Sequence, residues 1–390
     1  MSAANPSARV RRILGLFPEL LGVGGVQEAG RQTAAALLAI SVRAGLSARF
    51  LGLNDAPGEQ EFSACGSRVH LRGFGRSKVR FVAAAMAAAR CASNSDGLVV
   101  VAGHPHLALP AAIIKLVSPS VCVVVQSHGI EVWNPMSAIR RNAFLRADLV
   151  LGPSSDTARK LQTVQGVAAK RIRKVAWPVD PKILQMAGAP SALPLPQAFP
   201  AGQVVLTVGR WAASERYKGV DHLIEAVAQL SAENKGLNLV AVGSGDDLPR
   251  LKKLAADAGV SGRVKFLEGL SREQLGACYA HCDIFALPST GEGFGLVFLE
   301  ANAFGKPVIG AGVGGTTDLI EDEVNGLLVR PGDTRHLAST IRRLLEEEPL
   351  RRELGRRGAK IVREKYGFAA FEAEIERVLG ECGLDSGARA

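Results

Sequence analysis

The sequence predicts an α/β protein with two Rossmann-like, doubly wound parallel-sheet domains that face each other across a cleft. Its 390 residues are too many for one ordinary core, so two domains are expected. Short runs rich in Val, Leu and Ile alternate with alanine-rich helical stretches, which is typical of parallel sheets covered on both faces. The alternation stops at a proline-rich segment and then restarts, which indicates one sheet on each side of the break.

Each predicted element follows from this alternation. The predicted strands of the first half are RILGLF, ARFLGL, GLVVVAG, VCVVVQS and ADLVLGPS. The predicted helices between them are GVQEAGRQTAAALLAISVRAG, SKVRFVAAAMAAARCAS and HLALPAAIIKLV. The predicted strands of the second half are QVVLTVG, LNLVAVG, RVKFLEG, CDIFALP, KPVIGAG and NGLLVRP. Its predicted helices lie around 219–231, 247–258, 271–280, 295–304, 316–321 and 334–347.

The domain boundaries follow from the segment 177–202, which holds six prolines and is interpreted as a hinge and linker. We predict an N-terminal domain over residues 1–185 and a C-terminal domain over residues 186–367. Over residues 368–390 we predict a helix that packs back on the N-terminal domain and ends in a loose tail.

Composition narrows the class of protein. With 47% hydrophobic and 22% charged residues, the chain is typical of a soluble globular protein. No apolar run reaches the ~18 residues that a membrane-spanning helix needs. Pro18 and Glu19 interrupt the first apolar segment, so no signal peptide is predicted. The six cysteines are scattered, which favours reduced, buried thiols in a cytoplasmic protein over a disulfide framework.

The net charge of +10 is unevenly placed, because residues 1–190 carry +13 and residues 191–390 carry −3. A basic half beside a near-neutral half predicts an anionic partner for the first domain. Nucleic acid is not expected, since no zinc-finger, RNA-recognition or basic-zipper signature is present. An anionic membrane surface is the other candidate, through a basic segment that also holds Phe74 and Phe81; a solvated loop is the alternative. The basic residues of this segment are Arg72, Arg76, Lys78 and Arg80.

Chemically distinctive residues stand where predicted strands end. Ligands of open parallel sheets bind outside the carboxyl ends of the strands, so these positions predict a site between the domains. The residues are Gly22, Gly24, Gly25, His104, His106, His128, Arg210, Gly243, Gly245 and Glu292. The first glycine loop departs from the dinucleotide fingerprint at Gln27, which disfavours a nicotinamide dehydrogenase. A tight turn and a close approach to a ligand phosphate both stay open for it.

Arg210 and Lys218 precede a predicted helix in TVGRWAASERYKGVDHLIEAV. A helix N-terminus already carries about half a positive charge, so a lysine there is mildly unfavourable unless an anion binds. The stretch therefore favours a phosphate-bearing ligand over two exposed surface cations.

The stretch GEGFGLVFLEANAFGKPVIG places Glu292 in a glycine-rich loop and Glu300 in the helix that follows. Bare backbone at the helix start can reach a diphosphate that lies between the two acids. The chain contains no Asp-x-Asp, the usual metal–diphosphate clamp, so cations and helix dipoles would stabilise the leaving group. A cysteine–histidine cluster at 278–282 lacks the ligand number and spacing of a zinc site, so no metal site is predicted.

Together these motifs resemble the family 4 retaining glycosyltransferases of the GT-B fold. The stretches that carry the resemblance are GEGFGLVFLEANAFGKPVIG, TVGR…YKGVDHLIEAV, FLEGLSREQLGACYAHCDIFALPS and NGLLVRPGD. The resemblance covers essentially the whole chain and is strongest in the second half. It implies an acceptor-side N-terminal domain and a nucleotide-sugar-binding C-terminal domain. The spacing from Arg210 to Lys218 is longer than the family's usual spacing, which leaves the shape of that loop open.

The resemblance also implies roles for particular residues. His128, Arg210, Lys218 and Glu292 would be catalytic: the two cations would bind the diphosphate, and Glu292 would bind the hydroxyls of the donor sugar. His128 would lie near the sugar's reacting carbon and its hydroxymethyl group. The further donor-binding residues, which would contact the phosphates, the base or the ribose, are Gly24, Gly25, Leu267, Gly295, Leu296 and Glu300.

Among these, Glu300 would contact the ribose and Leu267 would meet the base through its main chain. His104 and His106 have parallels in the family, but a core or capping role is the alternative for both.

The implied activity is retaining transfer of a sugar from a nucleotide diphosphate donor, without a metal ion. The acceptor would be lipid-linked, a polysaccharide or a small molecule, as in polysaccharide or glycolipid biosynthesis. A sugar-nucleotide epimerase or hydrolase of the same fold is the alternative, and a two-lobed binding protein is disfavoured because no export signal is predicted. UDP, GDP and ADP donors all stay open. The expected location is the cytoplasm, or the inner face of the membrane if the basic segment binds lipid.

Overall fold

The computed structural model describes residues 10–22, 24–90 and 97–384, which form two compact units. Unit 1 contains the chain up to Pro178 and again from Phe368, and unit 2 is Val179–Gly367. The chain therefore passes from unit 1 to unit 2 after Pro178 and not at the predicted residue 185. It returns to unit 1 between residues 367 and 368. The two crossing segments run side by side, because the Val179 amide donates a 2.9 Å hydrogen bond to the Tyr366 carbonyl.

Unit 1 is built on an eight-stranded sheet. Its strands are β1 (Val10–Phe17), β2 (Ser47–Gly52), β3 (Gly58–Ala64), β4 (Ser67–Gly73), β5 (Gly97–Ala102), β6 (Cys122–Gln126), β7 (Leu149–Gly152) and β8 (Ile172–Lys174). They are ordered β3-β4-β2-β1-β5-β6-β7-β8, and every neighbouring pair except β3–β4 is parallel. The central strands are buried along their length, which explains their near-continuous apolar sequences.

Helices follow these strands. They are α1 (Gly25–Arg43), α2 (Lys78–Arg90), α3 (Ala108–Val117), α4 (Ala138–Phe144) and α5 (Ser155–Thr163). An apolar core joins α2 and α3 to the sheet, with Phe81, Ile114 and Val100 among its buried side chains. The predicted helices at α1, α2 and α3 and the five predicted strands are present, as the apolar periodicity requires.

The β3–β4 hairpin is absent from the sequence-based prediction. Exposed residues alternate with half-buried ones in β3 and mostly with buried ones in β4, and a two-residue turn at Cys65 and Gly66 joins the strands. Both turn residues have positive φ (51° and 79°), as a type I′ turn requires. The hairpin sits at the edge of the sheet, where strands need fewer apolar residues and leave a weaker signal in the sequence.

The basic segment 71–81 is therefore split between β4, a turn and α2. Phe74 and Phe81, which were expected beside its cations on a membrane, are 7% and 1% exposed. Their rings meet edge to face at 5.5 Å within the core. That part of the prediction is wrong, because the aromatic side chains stabilise the core and only the cations face outwards.

Unit 2 is built on a six-stranded parallel sheet. Its strands are β9 (Gln203–Val208), β10 (Leu237–Val242), β11 (Val264–Leu267), β12 (Ile284–Leu287), β13 (Val308–Ala311) and β14 (Gly326–Val329), in the order β11-β10-β9-β12-β13-β14. Its helices are α6 (Pro181–Gly188), α7 (Val220–Ser231), α8 (Leu248–Asp257), α9 (Arg272–His281), α10 (Leu296–Ala303), α11 (Thr316–Leu319), α12 (Thr334–Glu346) and α13 (Glu348–Lys365). Each strand and helix predicted for the second half has a counterpart here, with boundaries that differ by a few residues.

The proline-rich segment is not a plain linker. Asp180 caps α6 by accepting a 2.8 Å hydrogen bond from the Lys182 amide, and Pro181 occupies the first turn, where its missing N–H costs nothing. Asp180 also pairs with Arg272 at the start of α9, and α6 packs on α9 and α10. These contacts place residues 179–188 in unit 2, which is why the first crossing precedes the predicted boundary.

Helix α14 (Phe368–Glu381) belongs to unit 1 and packs on α1. Arg43 of α1 pairs with Glu372 and Glu376, and the Phe371 ring meets Trp177 at 5.8 Å. Past the helix, the Gly383 carbonyl accepts a 3.2 Å hydrogen bond from the amide of Val10 in β1. None of the helices that the structure describes has the length and apolar character needed to span a bilayer.

Cys122 and Cys382 form a disulfide, with their Cα atoms 5.7 Å apart. The expectation that all thiols are reduced is therefore wrong for this pair. The return of α14 brings Cys382 to the start of β6, and a separation of 260 residues hides this proximity from sequence spacing. Cys278 and Cys282 keep their thiols inside the unit 2 core, where burial raises the pKa of each to about 12.

Cys122→Ser is expected to lower the free energy of unfolding of the oxidised protein by roughly 2–4 kcal/mol, because the disulfide restricts the unfolded chain. Denaturant unfolding with and without dithiothreitol measures it. Dithiothreitol should lower the free energy of unfolding of the wild type and leave that of Cys122→Ser unchanged. Cys65→Ser, at the hairpin turn and outside the disulfide, is the control. Equal stability of wild type and Cys122→Ser under oxidising conditions would contradict the pairing.

Candidate active site

In each unit the distinctive residues lie where the order of the strands reverses. In unit 2 the chain proceeds outwards from β9 to β10 and β11, and then returns to place β12 on the other side of β9. The loops after β9 and β12 therefore diverge and leave a crevice, which is where open α/β sheets bind ligands. Arg210 and Lys218 lie in the first of these loops and Glu292 lies in the second.

The loop after β9 holds both predicted diphosphate-binding cations against one carboxylate. Arg210 pairs with Glu215, and the Lys218 Nζ lies 3.5 Å from Glu215 Oε2. The Glu215 side chain is 8% exposed, whereas the Arg210 side chain is 71% exposed and has room to turn towards a ligand. The longer spacing between the two cations accommodates a 3₁₀ segment, Ala213–Lys218, that carries Glu215.

Glu215 was not among the predicted site residues. The signal was available, because an acid three residues before one cation and five after the other can reach both in a tight turn. Arg216, the third cation of the loop, pairs with Asp247 instead.

The loop after β12 is pinned to its neighbours through the backbone. The Thr290 amide donates a 2.7 Å hydrogen bond to the Tyr217 carbonyl, and the Gly315 amide donates a 2.8 Å hydrogen bond to the Glu292 carbonyl. A Cβ at Gly315 would lie 2.5 Å from the Gly293 carbonyl oxygen, so this contact needs glycine. The loop that carries Glu292 therefore has a fixed course.

Glu292 is partly buried, and burial raises the pKa of its carboxyl group. The charge of Lys218 and a hydrogen bond with the Ser289 side chain act in the opposite direction. Burial, followed by the nearby Glu292 charge, also raises the pKa of Tyr217 to about 12, while Arg210 opposes that shift. The structure thus brings Arg210, Lys218 and Glu292 into one electrostatic neighbourhood, as predicted.

Helices α7 and α10 both begin at this edge of the sheet. Gly219 precedes α7 and Gly295 precedes α10, and neither helix has a side-chain hydrogen bond at its N-cap. No acidic residue stands in the first turn of α10, so the backbone amides at Gly295 and Leu296 can serve an anion. Glu300 follows in the next turn and accepts a 2.7 Å hydrogen bond from the Tyr279 hydroxyl.

Leu267 lies farther along the same edge, at the end of β11. Its carbonyl accepts a 2.9 Å hydrogen bond from the Gly243 amide, and the residue as a whole is 7% exposed. Leu267 thus lies at the sheet edge where a ligand is expected, and its main-chain contact with a base stays a prediction.

In unit 1 the strand order reverses between β1 and β5. Gly24 is the N-cap of α1 after β1, and Gly25 is the first residue of that helix. His104 follows β5 and His128 follows β6, the next strand. Gly24, Gly25 and His128 thus lie along one edge of the unit 1 sheet, as predicted, and belong to a different unit from the Arg210–Lys218–Glu292 group.

His128 is held between two rings. It stacks on Trp177 at 5.2 Å and on His104 at 5.7 Å, with interplanar angles of 21° and 23°. Its Nε2 lies 2.9 Å from the Gly103 carbonyl oxygen, which only accepts hydrogen bonds, so Nε2 carries a proton. In the neutral ring Nδ1 is then the acceptor. Trp177 was not predicted, because nothing in its local sequence places it beside His128.

The alternative that stood open for His104 is decided by its contacts. Its Nδ1 accepts a 3.1 Å hydrogen bond from the His106 amide and caps the 3₁₀ turn Pro105–Leu107. Burial lowers the pKa of His104 to about 3, so the ring is neutral and acts as a cap. His106 is exposed to solvent over much of its surface. The buried part of its ring and, as a smaller effect, the positive charge of Arg140 lower its pKa.

Two outward-facing cations of the basic segment lie at a cavity of about 440 Å³. Arg72 and Arg80 line it together with Phe74 and three alanines of α2, and the Arg72 guanidinium lies 5.7 Å from the centre of the Phe74 ring. Within the described part of the chain, none of the four predicted cations, Arg76 and Lys78 included, pairs with a carboxylate. No group of three or more metal-binding side chains converges among the described residues.

Glu292→Gln is expected to raise the melting temperature at pH 8. The pKa of Glu292 is higher in the folded protein than in the unfolded chain, so ionisation of its carboxyl group destabilises the fold. This loss of stability is absent below the unfolded pKa and complete once the pH exceeds the folded pKa. The increase in melting temperature over the wild type should therefore become smaller as the pH falls to 5. Thermal melts at both pH values measure it, with the exposed Glu268→Gln as control; a lower melting temperature at pH 8 would contradict it.

Comparison with known proteins assigns residues 198–361 to the family model described as glycosyl transferases group 1. The 2-deoxystreptamine glucosyltransferase of Streptomyces kanamyceticus is 31% identical over 296 residues, which cover 70% of this chain and 75% of that protein. The alpha-D-kanosaminyltransferase of the same organism is 33% identical over 181 residues. That alignment covers 46% of each protein, so the chain spans about half the length of this relative.

The crystal structure of Anabaena Alr3699/HepE in complex with UDP shares the fold of this chain. The TM-score is 0.72 at 20% identity, and the match covers 95% of this chain and all of that one. The predicted GT-B fold class is confirmed.

Proposed function

This chain belongs to the glycosyl transferases group 1 family, and we propose that it transfers a sugar from a nucleoside diphosphate donor to an acceptor hydroxyl, with retention at the anomeric carbon and without a metal ion. The observation that carries the proposal is the convergence of Arg210, Lys218 and Glu292 at the strand reversal of unit 2, beside two glycine-started helices.

The cationic groups stabilise the diphosphate as it leaves. As the bond from the anomeric carbon to the phosphate oxygen breaks, negative charge accumulates on the diphosphate. Arg210, Lys218 and the amides at the start of α10 stabilise that charge more in the transition state than in the ground state. These groups supply the positive potential that metal ions supply elsewhere, and the chain has no Asp-x-Asp pair.

Retention follows from attack on the leaving-group face. A covalent route needs a carboxylate close under the anomeric carbon, and Glu292 is instead assigned to the donor-sugar hydroxyls. In the proposed step the acceptor oxygen forms its bond to carbon on the side from which the diphosphate departs. A phosphate oxygen of the leaving group takes the acceptor proton. His128, with its Nδ1 as an acceptor, binds a hydroxyl of the sugar.

The donor is proposed to be a UDP-sugar, because Alr3699/HepE, which shares the fold, was crystallised with UDP. Glu300 binds the ribose and Leu267 meets the base through its backbone. Gly24 and Gly25 lie beside the phosphates and the acceptor. The name of one Streptomyces relative, a 2-deoxystreptamine glucosyltransferase, supports a small-molecule acceptor over a polysaccharide. An epimerase or hydrolase of the same fold would instead consume donor without acceptor.

Isothermal titration with UDP, GDP and ADP, with and without EDTA, tests the donor site. UDP is expected to bind most tightly, and EDTA should change nothing. Arg210→Ala and Lys218→Ala should each weaken UDP binding roughly tenfold or more, because each removes a charged hydrogen bond to phosphate. Arg216→Ala is the matched control, since Arg216 shares the loop but pairs with Asp247. Failure of all three nucleotides to bind would overturn the proposal.

We further propose peripheral contact with anionic membrane through Arg72, Arg76, Lys78 and Arg80, which would place a cytoplasmic protein at the inner face of the membrane. The support is the charge of these four residues and the absence of a carboxylate partner for any of them in the described part of the chain. The Cys122–Cys382 disulfide is unusual for a reducing cytoplasm, so the oxidation state of these thiols in cells bears directly on the location.

Flotation with phosphatidylserine-containing vesicles tests this contact. Each basic residue near an anionic surface contributes about 1 kcal/mol, so replacing all four cations by Gln should reduce the bound fraction sharply. Replacing four paired cations of unit 2 (Arg343, Arg352, Arg356 and Arg357) by Gln is the charge-matched control. Equal flotation of the two variants would refute the role of the segment.

A further inference from the structure

The hydroxyl of Tyr279 makes a buried hydrogen bond that packing of the unit 2 core does not require. Tyr279 lies in α9, is 0% exposed, and donates a 2.7 Å hydrogen bond to Glu300 Oε2. A phenylalanine would fill the same volume without a buried polar group that needs a partner. The hydroxyl therefore serves the carboxylate of Glu300, which lies on a different helix.

Aromatic neighbours fix the position of that hydroxyl. The Tyr279 ring stacks on Phe304, with centroids 5.8 Å apart and planes at 17°. It also meets Phe285 of β12 at 5.9 Å. Because Phe304 caps the C-terminus of α10 and Glu300 lies within α10, one helix carries both the carboxylate and a ring that orients its donor.

Burial keeps this hydroxyl protonated. It raises the pKa of Tyr279 well above the usual value, and the charge of Glu300 adds to the shift. Tyr279 is consequently a hydrogen-bond donor at any pH at which the protein works. A glutamate side chain loses considerable rotamer entropy when a ligand fixes it, and a prior hydrogen bond to a rigid donor removes part of that loss.

We propose that Tyr279 is a positioning residue of the donor site, which orients the Glu300 carboxylate to accept hydrogen bonds from the ribose hydroxyls of the nucleotide. This inference rests on the proposed function and deepens it, because it names how the site distinguishes a ribonucleotide from an analogue without those hydroxyls. Tyr279 itself touches no substrate in this scheme.

The test compares UDP with 2′,3′-dideoxy-UDP, which keeps the base and both phosphates. Each is titrated into the wild type, Tyr279→Phe, Glu300→Ala and Tyr366→Phe. We expect Tyr279→Phe to weaken UDP binding about fivefold and to leave dideoxy-UDP binding unchanged. Glu300→Ala should remove the preference for UDP altogether.

Tyr366→Phe is the matched control. Its hydroxyl donates a 3.2 Å hydrogen bond to the Asp318 carbonyl in the same unit, so the chemical change is identical but Glu300 is not involved. It should keep the wild-type preference for UDP. If Tyr279→Phe does not fold, Phe304→Leu replaces it, because loss of the stacked ring frees the Tyr279 hydroxyl and should also reduce the preference.

The outcomes distinguish failure of the positioning role of Tyr279 from failure of the proposed donor site. If Tyr279→Phe weakens both nucleotides equally, or weakens neither, while Glu300→Ala removes the preference, then Tyr279 has a structural role alone and the inference is overturned. If the wild type does not bind UDP, the proposed donor fails and the inference with it. If Glu300→Ala keeps the preference, the ribose assignment of Glu300 is wrong and Tyr279 has nothing to position.

Discussion

Backbone-to-backbone packing at the carboxyl edge of the unit 2 sheet is the constraint on which the candidate site depends. Gly245 lies so close to the Trp211 carbonyl, and Gly315 to the Gly293 carbonyl, that a Cβ at either glycine would collide. These contacts tie the loop after β9 to the loop after β10, and the loop after β12 to the loop after β13, which fixes the chain around Glu292. Preorganised loops need no rearrangement of their dipoles when a charged ligand arrives, which is the condition under which electrostatic stabilisation is largest.

Glu215 supplies one negative charge beside the two cations of the loop after β9 before any ligand is bound. Of these cations, the Lys218 side chain is 16% exposed and the Arg210 side chain is 71% exposed. Under the proposed function, a diphosphate would enter by exchange, with the exposed Arg210 turning from Glu215 to a phosphate. The reverse exchange would return the Arg210 guanidinium to Glu215 as the nucleotide leaves.

Most of the fold and the proximity of Arg210, Lys218 and Glu292 could be predicted from sequence, and the remaining features could not, for a physical reason. Buried parallel strands are continuous apolar runs, and the residues that follow them are the ones that a ligand meets, so Arg210, Lys218 and Glu292 stood out. The contacts of Trp177, Tyr279 and the Cys122–Cys382 pair join segments that are distant in sequence, and no local pattern encodes them. The β3–β4 hairpin and α6 were missed because an edge strand and a proline-rich helix carry weak apolar periodicity.

The return of the chain through α14 has a consequence for the order in which the protein is made. Unit 2 is complete once Gly367 has been synthesised, whereas unit 1 still lacks the helix that packs on α1 and the carbonyl that receives the Val10 amide. On the ribosome, residues up to Pro178 must therefore wait as an unfinished unit, with the α14-facing side of α1 uncovered, while the intervening unit emerges and folds. The half of the molecule that is translated first is thus the half that is finished last, and it is the more exposed to chaperones and proteases during synthesis.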